Sequence, residues 1–286
     1  MSTALLLIGL SVVMHVSWNL LARHVEKQAD YLWWGLLAHL ILVGPIGIYG
    51  LIVDAQWTPS LFVAAAITIF ANSAYFISLR RAYHFAPVAL VYPLARSSPV
   101  LIALWSMLLF GEDLVMQAWL GILISIIGLW MLALSARGGE TIHALPWALT
   151  AAFFTSVYSL SDKVAVAFLP SFPALLGFVT LGYLGAFLTL SLQNKHHNDR
   201  VIPIKRPAMK YLLPGGLFIG TAYALVIQAM QYLPAAYVVS FTNAGIVLAN
   251  LLGLTLLKER QAWQWRLLSA LIISVGLIIL GSAKVN

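Results

Sequence analysis

The sequence predicts an all-α polytopic membrane protein with ten transmembrane helices in two inverted five-helix repeats. Three observations lead to this fold class: the composition, the spacing of the apolar runs and a similarity between the two halves. The 286 residues are 62% hydrophobic and only 9% charged, whereas a soluble domain carries about 25% charged residues. No soluble core absorbs so much apolar sequence, so we expect the lipid bilayer to surround most of the chain.

Ten apolar runs are long enough to cross a bilayer as helices, which takes about 20 residues each. Most connections between them are short, so consecutive helices should be antiparallel neighbours. The longest polar connection joins the seventh and eighth runs. The runs cover approximately residues 3–22, 31–53, 60–81, 87–110, 115–135, 144–167, 172–193, 209–231, 234–257 and 262–282.

The two halves of the chain resemble each other at a separation of 147 residues. When residues 82–120 are aligned with residues 229–267, eleven of the thirty-nine pairs are identical, against about four or five expected by chance. Because five helices per half is an odd number, the second half enters the membrane inverted, as in transporters with alternating access. We therefore expect repeats at residues 1–138 and 139–286, with a central site between the halves. The most informative identical pairs are Pro87 with Pro234, Glu112 with Glu259, and Gln117 with Gln264.

The net charge of +7 is explained by loops that face the cytoplasm rather than by a nucleic-acid surface. Of the sixteen Lys and Arg residues, thirteen lie in the odd-numbered loops, and such basic loops remain cytoplasmic. The count predicts a multi-pass protein of the cell (inner) membrane with both termini outside. The first run has no basic segment before it and no clear cleavage site, so we interpret it as a retained helix.

Several classes of function are disfavoured. The chain has no Cys, no nucleotide-binding loop, no dinucleotide fingerprint and no hydrolase motif, and we expect no cofactor, metal or enzymatic activity. An ion gradient or counter-substrate exchange should therefore drive transport. The expected partners are a small-molecule substrate and the lipid bilayer, without nucleic acid. One chain contains both halves, so a monomer suffices, although a homodimer stays open.

Arg96 is the strongest candidate for a substrate site. It lies inside the fourth run, where a guanidinium costs several kcal/mol unless it faces a wet cavity or a partner. Pro93 and Pro99 flank it at three residues on either side and loosen the helix, and Ser97 and Ser98 follow it directly. An arginine offers a forked, permanent donor for a carboxylate or phosphonate. The structural alternative is an arginine that caps loosened carbonyls or extends to the membrane surface.

The 147-residue repeat supplies partners for Arg96. It places Asn243 opposite Arg96 and Ser240 opposite Pro93, so Asn243 and Arg96 together could form a two-sided cradle for an anionic group. Polar residues of this kind also join membrane helices by hydrogen bonds, which is the competing interpretation. The aromatic residues Trp18, Tyr92 and Tyr158 are expected to hold the body of the substrate, and Asn19 is a further candidate for substrate binding.

Two residues are candidates for coupling to protons. His15 shares a helical face with Asn19, with Trp18 beside it, and histidine titrates near physiological pH. Asp162 is the only carboxylate within an apolar run that could lie at membrane depth. It could balance Arg96, bind a substrate amine, or form an interfacial pair near its helix end.

Several short motifs resemble the drug/metabolite transporter superfamily, EamA-type. They are residues 84–89 (HFAPVA), 110–112 (FGE) and 257–260 (LKER). Residues 15–20 (HVSWNL), 92–96 (YPLAR) and 158–163 (YSLSDK) further resemble a subgroup described as phosphonate-utilisation-associated. The resemblance implies ten helices in two inverted halves and favours export over import. Family members are commonly drawn with both termini in the cytoplasm, which is opposite to the charge count here.

These observations favour a secondary transporter, most simply an exporter, of an amino acid, an aminophosphonate or a related organic anion. Efflux of drugs or lipophilic cations is the alternative, and Arg96 disfavours it because such cavities are acidic. Flipping of a lipid carrier is a weaker alternative. A non-transporting scaffold or sensor would leave the polar residues in the apolar runs without a purpose.

Overall fold

The fold was obtained as a computed structural model of the chain. The structure describes residues 2–23, 25, 29–136, 140–255 and 261–284, apart from the side chains of residues 23 and 198. Within these residues the regular structure is helical and contains no β-strand. The LKER motif at residues 257–260, and the loop residues Lys27 and Arg137, lie outside the described residues.

The helices follow the apolar runs closely. A short 3₁₀ turn, Val166–Phe168, follows the eighth helix. In chain order the helices are α1 (Ser2–Arg23), α2 (Tyr31–Leu42), α3 (Gly44–Asp54), α4 (Pro59–Phe85), α5 (Val88–Ala95), α6 (Ser98–Phe110), α7 (Met116–Ser135), α8 (Thr141–Ala165), α9 (Phe172–Asn198), α10 (Met209–Ala229), α11 (Ala235–Thr242), α12 (Ala244–Thr255) and α13 (Trp263–Ser282).

The number of membrane spans can be counted from helix length and composition. Among the described residues, eight helical segments are long and apolar enough to cross a membrane, and the bent pair α2–α3 would be a ninth. The run predicted at residues 144–167 forms α8, which contains Asp162 and Lys163 and is not among these segments. The chain is thus an all-helical, multi-pass membrane protein, while the total of ten spans stays a prediction.

Three of the predicted runs are each broken into two helices. The α2–α3 pair bends by 56° just before Pro45, which stands in the first turn of α3. The α5–α6 break lies between Pro93, inside α5, and Pro99, in the first turn of α6. All three prolines lack the N–H that a continuous helix needs. The α11–α12 break at Asn243 contains no proline, so the sequence alone did not indicate it.

The helices form two compact units that do not coincide with the sequence repeats. The first unit comprises residues 1–77 and 161–232, and the second comprises residues 78–160 and 233–286. Each unit therefore takes helices from both halves of the chain, and both α4 and α8 contribute to each unit. The division into repeats at residues 1–138 and 139–286 stays a prediction, and it differs from the division into compact units.

Close helix contacts in the first unit depend on glycine. Helix α3 packs along α9, and α10 packs against α1 and α2. At the α3–α9 crossing, a Cβ atom on Gly177 would overlap the backbone of Gly47. Small residues of this kind allow membrane helices to approach through their backbones. In the second unit, α7 and α13 approach each other in the same way at Gly121 and Gly276.

We predict that Gly177→Val destabilises the protein, because the new side chain must displace the backbone of α3. The expected loss is about 1–3 kcal/mol, measured as a lower midpoint of thermal unfolding in detergent. Gly9→Ala is the control, since a Cβ there meets no atom within 4 Å. An unchanged midpoint for Gly177→Val would show that the close α3–α9 crossing does not exist.

Candidate functional site

The two helix breaks of the second unit meet at Arg96 and Asn243. Arg96 follows α5 and Asn243 follows α11, so each residue stands where a half-helix ends. The amide nitrogen of Asn243 donates to the backbone carbonyl of Arg96 over 3.5 Å, across a separation of 147 residues. Asn243 and Arg96, which the 147-residue alignment pairs, are thus in direct contact. The amide contacts the arginine backbone rather than its guanidinium, and a two-sided cradle for an anionic group stays a prediction.

The guanidinium of Arg96 is held in a defined position. Its Nε and Nη2 atoms donate to the hydroxyl of Tyr92 over 3.2 and 2.8 Å, and its Cζ atom lies 5.2 Å from the centre of the Tyr92 ring. Its Nη1 atom donates to the hydroxyl of Thr242 over 3.1 Å. Because donors on different edges of the guanidinium are fixed by two separate helices, the cation is pre-organised rather than free to extend along the protein surface.

Two polar atoms beside these breaks have no hydrogen-bond partner among the described residues. They are the Oγ atom of Ser98, the first residue of α6, and the Oδ1 atom of Asn243, and both residues are completely buried. A buried polar atom without a partner costs about 1–3 kcal/mol. Such atoms are expected where a ligand supplies the missing partner. Helices α6 and α12 also begin here, and the free N–H groups at a helix N-terminus favour anions.

The neighbouring Ser97 is fixed from α7. The indole nitrogen of Trp130 donates to the Ser97 hydroxyl over 2.8 Å. Sequence reasoning did not select Trp130, although a tryptophan in the middle of an apolar run needs a partner for its N–H group. That requirement was the available signal.

The remaining candidates of the second unit are less directly placed. Tyr158 is buried in α8. The hydroxyl of Ser240 is buried and donates to the carbonyl of Ala236 in its own helix over 2.6 Å. Tyr92, Arg96 and Asn243 therefore form the core of the site, and Ser240 supports the end of α11. Their roles toward a substrate stay predictions.

In the first unit, two polar side chains of α1 form hydrogen bonds with His15. The indole nitrogen of Trp18 donates to Nδ1 of His15 over 3.1 Å, and the side chain of Asn19 donates to the His15 carbonyl over 2.7 Å. Trp18 also stacks on Tyr31, with ring centroids 6.4 Å apart. These contacts bring the three predicted residues together and use Nδ1 of His15 as an acceptor.

The carboxylate of Asp162 lies at the centre of a hydroxyl network in the first unit. Asp162 is only 1% exposed. The Thr68 hydroxyl donates to Oδ1 over 2.8 Å, and the Tyr223 hydroxyl donates to Oδ2 over 2.5 Å. Asn72 in turn donates to the Thr68 hydroxyl over 3.1 Å. The sequence analysis did not select Thr68, which lies one helical turn before Asn72.

Comparison with known proteins assigns the family. The EamA-like transporter family matches residues 2–134 and 143–282 of the chain. The chain belongs to the EamA-like transporter family. It is therefore a membrane transport protein, in agreement with the resemblance read from its motifs. The match does not extend to the phosphonate-associated subgroup.

Two further proteins are similar to this EamA-like transporter. An uncharacterized transporter of Archaeoglobus fulgidus is 24% identical over 237 residues, which is 81% of this chain and 78% of that protein. A protein of known crystal structure superposes with a TM-score of 0.76 at 19% identity, over 98% of this chain and 97% of its own. The second similarity concerns the fold alone.

The unpaired hydroxyl of Ser98 gives a testable prediction. Ser98→Ala should leave the free energy of unfolding unchanged or raise it by about 1 kcal/mol, because it removes a buried hydroxyl without a partner. The matched control is Ser125→Ala in α7, whose equally buried hydroxyl donates to the Ile122 carbonyl over 2.8 Å. That control should lose about 1 kcal/mol. Thermal unfolding of both variants measures the difference, and an equal loss in both would mean that the Ser98 hydroxyl is already satisfied.

Proposed function

We propose that this EamA-like transporter is a secondary-active carrier of a small polar metabolite with an anionic group, which binds at Arg96. The observation that carries the proposal is the pair of helix breaks in the second unit. There a pre-organised guanidinium, two helix N-termini and two unpartnered polar atoms come together. An arginine with a purely structural role would need only its hydrogen bonds to Tyr92 and Thr242. The two buried polar atoms without a partner indicate, in addition, a ligand.

The chemistry of the breaks narrows the substrate class. Arg96 suits a carboxylate or a phosphonate. The unpartnered Oδ1 atom of Asn243 is an acceptor and needs a hydrogen-bond donor, such as an amine or a hydroxyl. A molecule that carries both groups satisfies both requirements. Amino acids and aminophosphonates have this combination, and the subgroup resemblance of residues 92–96 supports the second of them.

The transport cycle we propose is alternating access by a chain of ten helices in two inverted repeats. The internal sequence repeat and the two separate family matches, residues 2–134 and 143–282, support this topology. The excess of basic residues in the odd-numbered loops supports a location in the inner membrane with both termini outside. Export is the direction that the family resemblance favours. Because the sequence has no nucleotide-binding loop, a gradient or exchange supplies the energy.

A ligand screen tests the assignment of Arg96. Purified protein is heated with 2-aminoethylphosphonate, glutamate, malate or tetraphenylphosphonium, and the unfolding midpoints are compared. A ligand at about a hundred times its dissociation constant stabilises the folded state by about 2.7 kcal/mol. We expect an anionic or zwitterionic compound to raise the midpoint of the wild type and not that of Arg96→Gln.

Two further variants separate charge from shape. Arg96→Lys keeps the charge but loses the fork, and should bind the same compound more weakly than the wild type. Arg81→Gln removes a different arginine of the second unit, whose guanidinium lies 4.7 Å from the Trp147 ring centre, and should bind normally. If tetraphenylphosphonium alone stabilises the wild type and Arg96→Gln equally, Arg96 is structural and cation efflux replaces our proposal.

A further inference from the structure

The hydroxyl network of Asp162 is a second polar site with a chemistry different from that at Arg96. Both carboxylate oxygens accept a hydroxyl hydrogen, one from Thr68 on α4 and one from Tyr223 on α10. Asn72 extends the network by donating to the carbonyl and the hydroxyl of Thr68, over 2.9 and 3.1 Å. Each partner of the carboxylate is electrically neutral.

Lys163 does not compensate the charge of Asp162, although it is the next residue. Its ammonium group donates to the carbonyl of Met230, at the C-terminal end of α10, over 2.6 Å. Within the described part of the first unit, no Lys, Arg or His forms an ion pair with Asp162. A buried carboxylate without a cation is expensive even when it is hydrogen-bonded. Such a residue needs a reason other than helix packing, which a neutral side chain would serve at lower cost.

The geometry distinguishes a proton from a larger ligand. Each carboxylate oxygen of Asp162 already accepts a hydroxyl hydrogen, so neither oxygen lacks a partner that a substrate amine would have to supply. No group of three or more His, Asp or Glu side chains among the described residues could hold a metal ion. Hydroxyl groups both donate and accept. Thr68 and Tyr223 can therefore donate to the ionised acid. They can accept from the protonated acid once the hydroxyl hydrogen has rotated about its C–O bond, and no carbon or oxygen atom has to move.

His15, the other coupling candidate, is less suited to this role. Its Nδ1 atom already accepts the indole hydrogen of Trp18, so uptake of a proton at that atom would break the bond and place two N–H groups against each other. No comparable conflict arises at Asp162. The groups that face Asp162 from the helices that contact it are Thr68 on α4, which is neutral, and the Tyr223 hydroxyl on α10, which is titratable.

We infer that Asp162 is the site at which this transporter takes up and releases a coupling proton. The inference rests on the proposed transport function. In the step concerned, a proton from water on one side of the membrane forms an O–H bond with the carboxylate. The same bond breaks when the proton leaves on the other side, and no other bond changes.

Transport in proteoliposomes tests the inference, with radiolabelled 2-aminoethylphosphonate as the probe. A difference of about one pH unit can support about tenfold accumulation when one proton is coupled. We expect that accumulation in the wild type. Asp162→Asn should lose it while still exchanging labelled for unlabelled probe, because exchange needs only the Arg96 site.

Asp54→Asn should keep both activities, since Asp54 is another carboxylate of the first unit that accepts from a hydroxyl, that of Ser171. Gradient-driven accumulation by Asp162→Asn at the wild-type level would overturn the inference.

A measurement without substrate keeps the inference testable if the probe is not transported. The infrared C=O band of protonated carboxyl groups is followed through a pH titration of wild type, Asp162→Asn, Asp54→Asn and Tyr223→Phe. A titration step that Asp162→Asn lacks, that Tyr223→Phe shifts and that Asp54→Asn retains would support proton binding at Asp162. Identical titrations of wild type and Asp162→Asn would overturn it. Failure of transport in every variant, together with a normal titration, would instead count against the proposed function.

Discussion

The break in the α5–α6 helix pair is the constraint on which the second unit depends. An intact helix satisfies its own backbone groups, which is the usual solution within a bilayer. Here two prolines prevent that solution, and the chain places a guanidinium at the interruption. The cost is reduced because Tyr92 and Thr242 hold the cation from two helices. The Asn243 amide meanwhile contacts the opened carbonyl of Arg96.

Sequence reasoning predicted the parts of this arrangement that depend on pattern. The apolar runs locate the helices well because a bilayer imposes length and composition on them directly. The alignment of the two halves at a separation of 147 residues pairs Arg96 with Asn243, although one residue is charged and the other is not. Pro93 and Pro99 predicted a loosened helix at Arg96. The equivalent break at Asn243 has no proline beside it, and the sequence analysis did not predict it.

The features that the sequence did not predict are those that depend on side-chain contacts between distant helices. Nothing near Ser98 in the chain indicates that its hydroxyl is buried without a partner, because that depends on which atoms of other helices reach it. Thr68 and Tyr223 are separated by 155 residues in the sequence, and both donate to the carboxylate of Asp162. The compact units likewise cross the repeat boundary, since helices that are similar in sequence need not be neighbours in space.

The two polar sites differ in how completely their hydrogen bonds are satisfied, and this difference follows from the ligands we assign to them. A site for a metabolite must exchange a molecule with many polar atoms, so some of its groups are unpaired whenever the molecule is absent. Ser98 and Asn243 have that property. A site for a proton exchanges only the smallest ligand, so its partners can remain in place in both states. Asp162, with a hydroxyl on each oxygen, has that second property. If the assignments were reversed, both hydroxyl bonds of Asp162 would have to break for each substrate molecule, and the unpaired atoms of Ser98 and Asn243 would have no use.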